Sequence, residues 1–181
     1  MAREQQPTRT APARTGAQYT PPSEQHTRRM RLLLRDQRTV DGFIHIGDDE
    51  ALTTFLGSRD GGWVNLTDVR WQGTTERLAH LALKVERILW ASAIDGDIKL
   101  VPDTRATATR FAEVTLESGV TLHAEIPAPI GERMSDVLGS CGPFVPLIGA
   151  RMASGGIAFG DLVVNQDAMH AVTERAPMKS E

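Results

Sequence analysis

The side chains able to do chemistry in this 181-residue chain are few and dispersed. A protein metal site needs His, Cys or carboxylate ligands at spacings that let them converge. The five histidines (His26, His45, His80, His123 and His170) include no pair three or four residues apart. Asp95 and Asp97 begin like a calcium loop, but no ligand series follows, so they read as solvated turn carboxylates. Cysteine catalysis needs a thiolate activated by a neighbouring base or cation. The single cysteine, Cys141, lies in Gly139-Ser140-Cys141-Gly142-Pro143, a turn sequence without such a neighbour. Gly155-Gly156-x-x-x-Gly160 lacks the lysine and hydroxyl of a phosphate-cradling loop, and a hairpin bend accounts for it. No catalytic, cofactor-binding or metal-ligating residue is assigned, and no cofactor.

What remains is charge. Residues 1–31 hold Arg3, Arg9, Arg14, Arg28, Arg29 and Arg31 against Glu4 and Glu24, a net +4; the whole chain carries −3, which leaves −7 on the rest. An acidic body repels a phosphate backbone, whereas a short basic arm can hold an anionic partner. Arg28, Arg29 and Arg31, just before the first expected strand, together with Lys84, are the candidate contacts for such a partner. The three tryptophans, Trp63, Trp71 and Trp90, all fall in the first half of the chain. A base-stacking platform sets aromatics on one open face among basic neighbours. Trp63 and Trp71, eight residues apart on one expected strand, suit core packing or packing between modules better.

The elements that position these residues begin after a basic arm. Residues 1–27 are rich in Pro, Thr, Gln, Ala and Arg, with Pro7, Pro12, Pro21 and Pro22 and almost no large aliphatic side chain. Such a segment cannot bury enough surface to offset its ordering entropy and is expected to be disordered, as is the tail 175–181. No run approaches the roughly 18 apolar residues that cross a bilayer, and the N-terminus has no apolar core of a secretion signal. With a lone cysteine, this reads as a cytoplasmic protein without a membrane span.

The strongest organising signal is an internal repeat. Leu34, Val40 and Ile44 fall on Leu116, Leu122 and Ile126 at an offset of 82, which also carries Leu56-Gly57-Ser58 onto Leu138-Gly139-Ser140. With a one-residue slip, Trp63-Val64-x-Leu66 falls on Phe144-Val145-x-Leu147, and residues 83–88 on 164–169. Within each copy the period is two. Val114 and Leu116, then Leu122, Ala124 and Ile126, alternate with polar neighbours around Ser118-Gly119, which predicts a hairpin with one buried face. A short helical turn (52–56; 134–138), a central strand (63–71; 144–152) and a strand-turn-strand ending follow. The stretch 94–109, interrupted by Asp95-Gly96-Asp97 and Pro102, reads as the linker between copies.

This order of elements resembles the bent five-stranded barrel of Sm-like and SH3-like folds. The hairpin Val114-x-Leu116-x-Ser118-Gly119-x-x-Leu122-x-Ala124-x-Ile126 is similar to the first Sm signature, whose second small position is normally glycine. The first copy has that glycine, Gly42, but carries Gln37 where the turn glycine belongs. The Sm family reads RNA bases with an acidic and asparagine pair after the hairpin and a basic dipeptide in the closing turn. Here Lys84 stands alone in one copy and Asn165-Gln166-Asp167 occupies the other. Arg28-Arg29-x-Arg31 is similar to the arginine cluster of PilZ-type cyclic-di-nucleotide receptors, but their Asp-x-Ser-x-x-Gly turn is missing from the sequence. The segments Arg133-Met134-Ser135-Asp136-Val137-Leu138, Phe144-Val145-Pro146-Leu147 and Val163-Val164-Asn165-Gln166 also resemble an uncharacterised bacterial family of short proteins with the pattern R-L-S-D-x-L, F-I-x-L, V-N-x-x-x-I. That resemblance covers the second copy well and the first loosely, and it brings no known activity.

The expectation is therefore a mainly β protein: a disordered arm (1–27) and two tandem Sm-like/SH3-like β-barrel modules (28–93 and 110–174), related by internal duplication and joined by the linker 94–109. Apolar positions recur while polar ones drift, the trace of selection on shape and surface. The expected function is a non-enzymatic protein-interaction or assembly module, whose partner is another protein or a second copy. The alternative is an Sm-like nucleic-acid binder using the basic arm, with Arg28, Arg29, Arg31 and Lys84 on phosphates.

Overall fold

Alternation builds the strands. In β1 (Gln25–Leu34) Met30, Leu32 and Leu34 are buried while Arg29, Arg31 and Leu33 are partly exposed; β2 (Thr39–Gly47) turns Val40, Gly42, Ile44 and Ile46 inward. The computed structural model describes residues 25–95, 98–102 and 108–175. After β2 come α1 (Leu52–Gly57), β3 (Trp63–Trp71), β4 (Arg77–Lys84), a 3-10 turn (Val85–Arg87) and β5 (Ile88–Ala93). Then follow β6 (Ala108–Leu116), β7 (Thr121–Ala128), α2 (Met134–Cys141), β8 (Phe144–Met152), β9 (Ala158–Asn165), a second 3-10 turn (Gln166–Ala168) and β10 (Met169–Glu174).

All ten strands lie in one antiparallel sheet, in the order β10-β6-β7-β8-β9-β5-β1-β2-β3-β4. β1 to β4 form a meander and β5 returns to pair with β1; β6 to β9 form another, and β10 returns to β6. The two sets meet at a seam where Trp90 lies opposite Val164, Ala91 opposite Val163 and Ser92 opposite Leu162. The ladders slip register between Asp41 and Phe43 on β2 and between His123 and Glu125 on β7, and such irregularities bend a strand. The tight turn after β1 puts Gln37 at φ 66, and the turn after β6 puts Gly119 at φ 80. Glycine takes that backbone without steric cost; a glutamine does not.

The core has two clusters, and each draws on both sets of strands. Met30, Leu32, Ile44, Leu52, Leu56, Leu66 and Ile88 pack in one cluster with Phe144 of β8 and Val163 of β9. Leu122, Ile126, Leu147 and Val164 pack in the other with Leu89 and Trp90 of β5.

The structure moves several expected boundaries. β1 begins at Gln25, so Arg28, Arg29 and Arg31 lie within a strand rather than before it, and residues 25–27 belong to the sheet rather than to the arm. β6 takes 108–109 from the expected linker, and residues 98–102 of that stretch run beside α1, where Leu52 and Thr53 donate backbone N–H bonds to Lys99 and Leu100 carbonyls. Arg175, placed in the tail, donates its backbone N–H to the Phe111 carbonyl. Cys141 ends α2 rather than sitting in a turn. Residues 1–24 and 176–181 lie outside the described residues. Among the described residues no helix is long and apolar enough to cross a membrane.

Candidate functional site

The arginines read from the sequence are engaged with carboxylates. Arg31 donates through Nε and Nη2 to the two oxygens of Asp41, each at 2.9 Å, a bidentate pairing of the strong kind. Arg29, on the same face of β1, holds Nη1 3.6 Å from Asp95. Arg28 takes the alternate position, with Nη2 3.9 Å from Asp48, whose other oxygen lies 2.7 Å from His26 Nε2. Lys84 is elsewhere: it ends β4, donates to the Gly61 carbonyl at 3.0 Å and places Nζ 4.9 Å from the Trp63 ring centroid. Two strands, β2 and β3, separate β4 from β1 in the sheet, so the four cations do not form one patch. A hollow of about 270 Å³ over β1 to β4 is lined by Arg29, Arg70, Arg77, Asp41, Asp68 and Phe43, and Asp68 accepts from Arg77 at 2.9 Å. An anion entering it meets the carboxylates of Asp41 and Asp68 beside the three guanidinium groups.

Two further carboxylates pair likewise. Glu113 accepts from Arg175 Nη2 at 2.9 Å and lies 3.2 Å from His123 Nε2; the arginine first and the histidine second hold its carboxyl below the usual carboxylate range. Asp36 is lowered in the same way by Arg38. Among the described residues no group of three or more His, Cys, Asp or Glu side chains converges as metal ligands do. Asp97 lies outside them. Asp95 instead faces Arg29.

The features that sequence reasoning missed are apolar and stand at the two margins of the sheet. β4 and β10 end the strand order, and among the described residues neither has a partner on its outer side. Beside β4, at the start of β3, Trp63 is 55% exposed, rather than packed in the core or between modules as the tryptophans were expected to be. Beside β10, a hollow of about 360 Å³ opens between that strand and α2, with Met134, Leu138, Met169 and Val172 among its walls. Only Trp90 packs at the junction: it is buried on the β5·β9 seam, edge-on to Phe159 with centroids 5.7 Å apart. Trp71 is half-buried under the Arg38 guanidinium, 4.5 Å above its ring. The sequence signal for the hollow was the i, i+4 pair Met134 and Leu138, which reads equally well as a helix facing its own core.

What this arrangement can do is extend a sheet. An unpaired strand edge offers a row of N–H and C=O groups to another strand, and flanking apolar side chains add area and specificity. Compared with known proteins, the chain matches no family model, no curated protein and no solved structure.

Proposed function

We propose that this protein is a non-enzymatic assembly or adaptor module, built from two copies of one barrel-like five-strand unit and working through its sheet edges. The observation that carries the reading is the pair of unpartnered margins, each flanked by exposed or half-exposed apolar side chains. Two copies of one unit are supported by local geometry that recurs at the spacing read from the sequence. Leu34 N–H donates to the Arg38 carbonyl and Gln37 N–H to Leu34; 82 residues on, Leu116 donates to Val120 and Gly119 to Leu116. The orders β5-β1-β2-β3-β4 and β10-β6-β7-β8-β9 are the same order of elements. The 3-10 turns at Val85–Arg87 and Gln166–Ala168 stand 81 residues apart.

Nucleic-acid binding through Arg28, Arg29, Arg31 and Lys84 is the weaker reading, because Arg31 is committed to Asp41 and Lys84 lies away from the arginines. One measurement separates the two: the mass of the full-length protein in solution together with its absorbance ratio. Assembly gives a mass above one chain, or a retained protein partner, with a protein-like spectrum. Co-purifying nucleic acid that is released as salt rises would favour the other reading. A monomer that retains no partner overturns the proposal.

A further inference from the structure

We infer that the chain binds a second copy of itself head to tail: the β4 edge of one copy adds to the β10 edge of the next, and Trp63 fills the hollow between α2 and β10. The inference rests on the assembly reading and gives it a specific joint. The template lies inside the molecule. At the β5·β9 seam the last strand of the first unit pairs with the fourth strand of the second. The two strands left over are β10, the last of the second unit, and β4, the fourth of the first. The same displacement that relates the units within the chain therefore brings β10 of one chain against β4 of another.

Side chains around the seam make the match specific. Phe144 starts β8, is 1% exposed, and shares a core cluster with Leu52 and Leu56 of α1 and Ile88 and Ala91 of β5. It plugs the first unit. The residue in its place on the first unit, opposite Lys84 as Phe144 is opposite Asn165, is Trp63, and it is out in solvent. The residues in place of Leu52, Leu56, Ile88 and Ala91 on the second unit are Met134, Leu138, Met169 and Val172. These four line the open hollow beside β10 and are all half-buried. One unit thus keeps an aromatic plug without a socket, and the other an apolar socket without a plug.

The strand edges repeat the contrast. On β9, Leu162, Val163 and Val164 are fully buried by the seam; on β4 only Leu83 of the corresponding Leu81, Ala82 and Leu83 is buried. On β5, Trp90, Ala91 and Ser92 are buried, whereas on β10 Ala171 and Thr173 are exposed and Val172 is half-buried. Transferring the seam register sets Ala171 opposite Leu83, Val172 opposite Ala82 and Thr173 opposite Leu81 of the next copy. Charge agrees independently. Arg35 and Glu117 stand at equivalent places after β1 and β6 and bridge the two units, with Arg35 Nη1 2.8 and 3.0 Å from the two Glu117 oxygens. The same displacement carries Glu117 against Arg35 of the next copy, an unlike pair again. Two like residues at these places would have set like charges against each other at every joint.

Such a contact uses different surfaces on its two sides, so it propagates until it closes a ring or runs on as a filament. The test uses the full-length chain and two substitutions on exposed or half-exposed side chains, Trp63→Arg in the plug and Leu138→Arg in the socket. Unaltered protein is expected to run at a whole multiple of the chain mass. Each variant is expected to keep its far-ultraviolet spectrum and fall to the mass of one chain, with association weakened at least about 30-fold as for a central aromatic anchor. Mixed together, the variants restore one joint: the intact Trp63 of the Leu138→Arg chain enters the intact socket of the Trp63→Arg chain. The mixture is expected to give a one-to-one dimer and nothing larger. An assembly unmoved by either variant, or variants that fail to pair when mixed, overturns this joint and leaves the assembly reading standing. So does a single chain that retains a different protein. A single chain that retains nothing removes both.

Discussion

At the scale of single residues, the chain places a glutamine where the backbone favours glycine. Gln37 adopts φ 66 in the turn after β1, and its side chain is exposed, so nothing in the fold requires it. Relief of a left-handed backbone outweighs the extra freedom glycine gains when unfolded. Gln37→Gly is expected to stabilise the protein by up to about 1 kcal/mol, read as a rise in the denaturant midpoint at unchanged slope; a fall in midpoint would contradict the backbone argument. Charge acts at the same scale. Glu113 and Asp36 both ionise more readily in the folded protein than as free side chains, because Arg175 and Arg38 donate to them. A depressed carboxyl pKa adds stability above the unfolded value, about 4, and loses it as pH falls through the lower folded value. The thermal midpoint should therefore fall on acidification below that range, and Glu113→Gln should make the fall shallower. Equal slopes for the two proteins would show that the pair contributes nothing.

At the scale of elements, the two 3-10 turns are held differently. Asn165, 5% exposed, accepts the Asp167 backbone N–H through its side chain at 3.0 Å and so leads β9 into β10 with that donor satisfied. Lys84, which precedes the other turn, makes no side-chain cap there and reaches to Gly61 instead. Asn165→Ala is expected to cost about 1 kcal/mol, the usual loss of a side-chain cap, while Lys84→Ala leaves its turn unaffected; chemical unfolding of the two variants side by side measures the contrast. These elements were legible because a period of two is local. The strands 63–71 and 144–152 and the hairpin around Gly119 needed no knowledge of partners. The start of β1 was not legible. Residues 25–29 (Gln-His-Thr-Arg-Arg) are polar, and they enter the sheet through pairing with residues 43–47 of β2 rather than through burial.

At the scale of the whole molecule, the seam decides how the parts respond together. Phe144 and Val163 belong to the core of the first five strands, while Leu89 and Trp90 belong to the core of the second five. Neither set can lose its order without opening the other's core. Unfolding is expected to be one cooperative transition, with tryptophan fluorescence and far-ultraviolet signals coincident. Phe144→Ala should lower the stability of that single transition by ~3–5 kcal/mol. Two resolved transitions would show that the halves unfold independently. Arg35 and Glu117 also cross the seam, but at an exposed site such a pair contributes at most about 1 kcal/mol; apolar exchange across β5·β9 is the stronger tie.

The order of residues alone determined where the chain alternates, where it turns and that its mainly β elements are short, since each depends on neighbours a few positions away. Which residues became available to a partner was decided only by tertiary structure. Trp63 and Phe144 begin strands of the same pattern, yet one is exposed and the other buried. Trp90 looked no different from the other tryptophans until β5 met β9. Burial of that kind depends on which strand edges find each other, a pairing between residues some seventy positions apart that no local period encodes.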